Sequence, residues 1–260
     1  LLAGIRVLDL TRVLAGPVAT RLLAGWGAEV LRIDPPDWDE PAVAAEVTLG
    51  KRCARLDLRS DGGRAHFLEL LGSADVMVHG YRADSLERLG LGPGTLEARR
   101  PGLVEVSLNA YGWSGPWRNR RGFDSLVQMS AGVARAGQEA AGAERPTPLP
   151  VQALDHATGY LLAASAIQGL NVRLQSGIGS RWRTSLARMA ALLVAAGPGE
   201  GEDTDPITAL RPPPADSLEH TTWGPARRLA PPLRVVGAPL HWHLAARALG
   251  SDRPMWGPQG

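Results

Sequence analysis

The stretch Gly4-Ile5-Arg6-Val7-Leu8-Asp9-Leu10-Thr11-Arg12-Val13-Leu14-Ala15-Gly16-Pro17 decides the fold. Its first half is an apolar run of strand type. Gly16-Pro17 then opens a helical stretch, Val18 to Trp26, with proline where an early helical position tolerates it. Gly27-Ala28 turns the chain into a second apolar run, Val30 to Ile33, and Pro35-Pro36 end it. Strand, turn, helix, strand is a βαβ unit of nucleotide-binding type. Its first turn, however, reads T-R-V-L-A-G-P and not G-x-G-x-x-G, so a group other than a plain dinucleotide is expected against it.

Working outward, further strand-like runs occupy Asp75–Val78 and Leu103–Leu108. Between them lie helical stretches at Gly62–Leu71, with Ala65, Leu68 and Leu71 at helical spacing, at Ser85–Leu89 behind Asp84, and at Leu96–Arg99. Strands alternating with helices across short loops predict a parallel sheet covered on both faces. Residues 111–154 are rich in Gly, Ser, Pro, Arg and Trp around one helix, Asp124–Gly132. Loop-rich segments on an α/β scaffold are where sites are built. Helices are expected at Thr158–Leu170 and Arg183–Ala196. Residues 197–231 lack periodicity and read as linker or extended chain, and Leu233–Gly237 reads as a last strand.

The chain has 260 residues, a net charge of +2, 44% hydrophobic and 21% charged residues. Such values suit a globular protein and give no global field for nucleic acid. The basic residues are nearly all arginine: Lys51 is the one lysine, and a solvated surface position is expected for it. Cys53 is the one cysteine, which excludes an internal disulfide and a thiolate metal cluster. No apolar run is long enough to span a membrane. The chain enters its first strand with no charged leader or cleavage site, which predicts a cytoplasmic protein; Leu1 in place of a methionine leaves room for residues upstream.

Five blocks, taken in order, resemble the family III CoA-transferases, the group of formyl-CoA and carnitine CoA-transferase. They are V-L-D-L-T-R-V-L-A-G-P, G-K-R-C-A-R-L-D-L at 50–58, A-D-V-M-V-H-G-Y-R with E-R-L-G-L at 74–91, R-G-F-D-S-L-V-Q-M-S-A-G at 121–132, and L-D-H-A-T-G at 154–159. The likeness runs over residues 1 to about 195 and resumes weakly at 231–249. It implies a Rossmann-like large domain at 1–195. Residues 196–230 would be a linker where the family has a small domain, here reduced or absent. Residues 231–260 would return and pack on the large domain.

The resemblance implies transfer of CoA from an acyl-CoA to a carboxylic acid, with no permanently bound cofactor and no metal. Asp155 matches the family's nucleophile. Read from the residues alone, it is an N-cap aspartate opening the helix near Thr158; the two roles can coexist. Gly159, four residues on, would mark a helix N-terminus favouring an anion. His156 is read as an ordinary polar residue.

CoA-binding positions carried over by the match are Arg12, Val13 and Ala15 in the first turn, Leu56, Asp57 and Arg59, then Gly80, Tyr81, Arg82 and Arg88. Arg121, Gly122, Phe123 and Asp124 match a loop near the thioester. Arg59 and Arg88 suit phosphates; solvated arginines are the plain alternative for both. The same fold hosts racemases whose histidine base would stand at Phe123, which carries no proton. A non-catalytic CoA-binding or assembly subunit is the other alternative. A homodimer, possibly interlocked, is expected.

Overall fold

In the computed structural model, which describes residues 1–82, 84–197, 218–231 and 233–257, the opening stretch folds as expected. β1 (Arg6–Leu10) leads through a turn into α1 (Ala15–Gly25), and β2 (Glu29–Asp34) returns parallel to β1 with Val7 level with Val30. The chain continues through α2 (Ala44–Val47), β3 (Lys51–Arg55), α3 (Asp61–Gly72), β4 (Val76–His79), α4 (Ser85–Arg88), α5 (Pro93–Arg99) and β5 (Val104–Asn109). Then come α6 (Asp124–Ser130), α7 (Val133–Ala141), α8 (Ala153–Ser176), β6 (Ser180–Ser185) and α9 (Leu186–Ala196). A hairpin of β7 (Glu219–Thr221) and β8 (Gly224–Ala226) follows.

The six long strands form one parallel sheet in the order β3-β2-β1-β4-β5-β6. From β1 the chain builds outward in one direction, then jumps back to β4 and builds in the other. Connections after β1 and β4 therefore leave on opposite sides, and a crevice opens at the carboxyl ends of these two strands. Both faces of the sheet are apolar, as burial on both sides requires. Val7, Val30, Val76, Val78, Val104 and Val106 pack on one face with residues of α1 and α8. Leu8, Leu31 and Met77 pack on the other with Phe67, Leu70, Leu71 and Leu96. Helices α1 and α8 touch most closely at Gly159, where an added Cβ would lie 2.7 Å from the Ala15 carbonyl and from Val18.

The structure departs from the sequence pattern at four places. β3 and β6 are strands the reading did not find, and Arg183 lies in β6, so the helix assigned to Arg183–Ala196 begins only at Leu186. α8 starts at Ala153, five residues before Thr158. Glu219–Thr221 and Gly224–Ala226 pair as a hairpin inside the supposed linker; the rest of that segment, 198–217, lies outside the described residues. Leu233–Gly237 is not a strand: its described residues are irregular, and Val236 is 95% exposed.

The C-terminal segment instead runs along β3, the edge of the sheet. Cys53 exchanges both backbone hydrogen bonds with Asp252, donating to its carboxylate at 2.8 Å and accepting from its N–H at 2.9 Å. Trp242 sits over Gly25 and Gly50, and its indole N–H donates to the Arg21 carbonyl at 2.8 Å. An unpaired sheet edge is thereby covered.

Candidate active site

The turn after β1 is built on a buried ion pair. The Asp9 carboxylate accepts from Lys51 Nζ at 2.9 Å, Thr20 Oγ1 at 2.6 Å, and the Thr11 N–H at 2.9 Å and hydroxyl at 2.5 Å. Lys51 Nζ also donates to the Pro17 carbonyl at 3.1 Å. Lys51 is therefore not a solvated lysine: both it and Asp9 are fully buried. Burial pushes the Asp9 carboxyl up, but Lys51, Arg32 and the two hydroxyls outweigh it and hold it below the ordinary value. Beside this pair, buried Arg32 donates to Asp34 at 2.8 and 3.1 Å and to Glu40. Glu40 in turn accepts the Val13 N–H at 3.0 Å.

Val13 has φ of 66°, a left-handed conformation that a β-branched residue adopts only under constraint. The constraint is the network just described, which fixes the chain on both sides of it. Thr11 packs so closely on Gly16 that a Cβ there would lie 2.3 Å from the threonine side chain. A strained backbone held by surrounding structure is a mark of sites where the chain must present itself to a ligand.

The crevice at the switch point holds a cavity of about 530 Å³. Arg12, Val13 and Ala15 from the first turn line it, as do Gly80, Tyr81 and Arg82 after β4, and Arg121, Gly122 and Phe123 before α6. Asp155, in the first turn of α8, opens into it. A second cavity of about 370 Å³ contains Leu56, Asp57 and Arg59. Arg12, Trp38 and Tyr81 line both, so the two cavities adjoin along one groove wall. There the Arg12 guanidinium lies 4.7 Å from the Trp38 ring centre and 5.9 Å from that of Tyr81. Aromatic faces hold a cation without neutralising it. Arg59 is exposed and already paired, with Asp57 at 2.9 Å and Asp37 at 3.7 Å.

Asp155 is 6% exposed. Among the described residues no hydrogen-bond donor reaches its carboxyl. Burial first, and the charge of Asp124 second, push that carboxyl up to about 7. Neighbouring His156 is held below its ordinary value, by burial and then by Arg21, so it is neutral at pH 7.

Four positions differ from expectation. Arg88 is exposed, pairs with Asp84 and lines neither cavity. Asp124 is 2% exposed and sits behind Asp155 rather than in the groove. Gly159 is the contact point with α1, not an anion site, and Asp155 is the third residue of α8 rather than its N-cap. The structure adds Trp38, Arg120, Asn109 and Leu186 to the groove. None of these carried a local signal. Gln128, which bonds Asp124, did: the two stand four residues apart on one helix face.

Known proteins share this sequence pattern and fold. The model described as CoA-transferase family III matches residues 2–209. The probable fatty acyl-CoA transferase Rv3272 of Mycobacterium tuberculosis is 32% identical over 191 residues, 68% of this chain and 48% of that one. Succinyl-CoA:glutarate CoA-transferase of Mus musculus is 32% identical over 192 residues, 68% of this chain and 43% of that one. A crystal structure of Rv3272 superposes with a TM-score of 0.69, covering 75% of this chain and 57% of that one. The chain thus spans about half the length of the curated relatives it matches.

Proposed function

The chain belongs to CoA-transferase family III, and from that premise we propose that it moves coenzyme A from an acyl-CoA to a carboxylic acid with Asp155 as nucleophile. One observation carries this: a buried carboxyl that no hydrogen-bond donor reaches among the described residues, lining a cavity of about 530 Å³ at the switch point of the sheet. The nucleotide end of CoA would lie in the cavity at Leu56–Arg59, with Arg12 at the junction and the thioester beside Asp155.

In the proposed cycle the Asp155 carboxylate attacks the thioester carbonyl carbon. The C–S bond breaks, the sulfur leaves as thiolate, and an acyl–aspartyl anhydride forms. The thiolate then attacks the Asp155 carbonyl and releases the donor acid as its carboxylate, which leaves an aspartyl-CoA thioester. The acceptor carboxylate attacks that thioester and repeats the two steps in reverse, so Asp155 emerges as it began. Covalent exchange divides a slow transfer into steps between species of similar energy. A desolvated carboxylate is a stronger nucleophile than a hydrated one, and acylation removes a charge that the site solvates poorly.

The test is trapping. Incubation with acyl-CoA and then hydroxylamine should modify Asp155, and Asp155→Ala should abolish exchange between labelled CoA and acyl-CoA. No adduct, together with full exchange in the variant, would remove the reading.

A second reading, a CoA-binding subunit without turnover, is favoured by one fact, the half-length match to the relatives. It predicts CoA binding with no exchange. A racemase is disfavoured because Phe123 occupies the groove where that chemistry needs a base. A homodimer accompanies the transferase reading and is checked by light scattering.

A further inference from the structure

Two helix N-termini meet behind the cavity. Asp124 is the first residue of α6, and Asp155 is the third of α8. The residue at the N-cap of α8, Gln152, makes no capping bond with its side chain. Instead Asp124 Oδ2 accepts the N–H of Asp155 at 2.9 Å, so a carboxylate from one helix caps the other. Its second oxygen, Oδ1, accepts from Gln128 Nε2. The Gln128 amide cannot be turned over. Its Oε1 accepts the Leu149 N–H at 2.7 Å, and its Nε2 donates to the Val151 carbonyl at 3.1 Å. Backbone groups on both sides fix which end is nitrogen. Both Asp124 oxygens therefore face N–H donors, an arrangement that suits a carboxylate.

We propose that Asp124 is a positioning residue: tied to Gln128 by one oxygen and to the Asp155 N–H by the other, its carboxylate seats the peptide of Asp155 and sets a negative charge beside the Asp155 carboxyl. The proposal rests on Asp155 being the nucleophile. When one of two neighbouring carboxyls is fixed as the anion, the other carries the proton at higher pH than it would alone. Burial of Asp155 acts in the same direction.

The other charged and titratable groups around the pair do not take over this role. Arg12, Arg82, Arg120 and Arg121 line the cavity from the loops. Arg12 is engaged by Trp38, and Arg120 lies 4.5 Å from the Trp117 ring centre. From α1, Arg21 is paired with Glu46. Tyr111 bonds Ser130 at 2.9 Å. On α8 itself stand His156, held neutral, and Tyr160. Acylation turns Asp155 into a neutral group, so its repulsion with Asp124 is present in the free enzyme and absent from the anhydride and the thioester. Asp124 thereby favours the covalent states.

The experiment uses the full chain labelled with aspartate carrying carbon-13 in the side-chain carboxyl. The Asp155 signal is assigned by its loss in Asp155→Asn. In Asp124→Asn, the Asp155 titration midpoint should fall by about one unit or more. The acid limb of the pH profile for exchange should move by the same amount, with the KM for acyl-CoA held within about twofold and kcat above both midpoints reduced about tenfold. Gln128→Leu, which frees Oδ1 to take the proton itself, should shift the Asp155 midpoint the same way and serves if Asp124→Asn does not fold. An Asp155 midpoint that stays put in a folded variant overturns the inference, whatever the activity. A wild-type chain that neither exchanges CoA nor is trapped at Asp155, yet shows the shift, overturns the nucleophile and supports the carboxylate pair.

Discussion

Asp9 and Asp155 are both buried aspartates, at 0% and 6% exposure, and they behave in opposite ways. Asp9 receives two hydroxyls, a backbone N–H and the Lys51 ammonium, and its carboxyl is held low. Among the described residues Asp155 receives none of these; it faces Asp124 and is pushed up to about 7. What separates them is not depth but partners. Desolvation raises both; hydrogen bonds and an opposite charge reverse it at one site only. A satisfied buried carboxylate organises the turn, and an unsatisfied one is left free to react.

The sharpest way to break this contrast is Asp155→Asn. Exchange should fall at least about 10³-fold, as expected for loss of a nucleophile. Stability should move the other way. Below pH 3.8 the carboxyl is protonated in the folded and unfolded states alike, and the substitution is near neutral. Between pH 3.8 and about 7 the folded state holds a proton that the unfolded state has lost, so wild-type stability declines as pH rises. At pH 8 the variant should be the more stable by ~2–4 kcal/mol. Denaturant melts at pH 3.5 and 8 read both ends, and a variant destabilised at pH 8 would contradict the contrast.

Lys51→Met tests the other half. It leaves Asp9 ionised, buried and short of its countercharge, a loss of ~3–5 kcal/mol. Asp9 has the reverse sign: the stability it contributes is present above the unfolded value of 3.8 and is lost as pH falls through its lower folded value. The deficit of Lys51→Met should therefore be widest at neutral pH and shrink in acid, as urea titrations at two pH values can establish.

How much of this the sequence discloses follows from the same physics. The four inner strands are runs such as Val30–Ile33 and Val76–Val78, apolar because both faces are buried. The two strands left unread, K-R-C-A-R and S-R-W-R-T-S, are the two edges of the sheet. Edge strands carry arginine and lysine, and their polarity hides them from an apolar pattern. Lys51 looked solvated because its partner lies 42 residues away, and only the parallel register of β1, β2 and β3 brings the two together. Asp155 is singled out by the block at 154–159 alone. Its environment is not legible there, since Asp124 reaches it from another helix 31 residues earlier. Trp38 had no motif at all.

A third expectation concerns the working pH. With Asp155 as the proposed nucleophile, only its ionised form would attack, so exchange should drop about tenfold for each unit below its midpoint near 7. An activity flat from pH 5 to 8 under saturating acyl-CoA would mean that Asp155 is as well satisfied as Asp9.

The smallest effect is expected where the two regions join. Val13 lies between the Asp9 turn and the groove, in a left-handed conformation that glycine adopts without cost. Val13→Gly removes that strain, worth about 1 kcal/mol or somewhat more, against which stands the added freedom of glycine in the unfolded chain. The net change in melting temperature should be within a few degrees. Function separates the two contributions. If the Asp9 and Glu40 contacts hold the turn, the glycine variant keeps its KM for acyl-CoA. If the valine side chain itself presses on the ligand in the groove it lines, KM rises several-fold while the melting temperature barely moves. Glu40→Gln can keep its one acceptor oxygen on the Val13 N–H, at the expense of the Arg32 contact, and should leave KM alone, whereas Glu40→Ala removes that bond, releases the turn and should raise it.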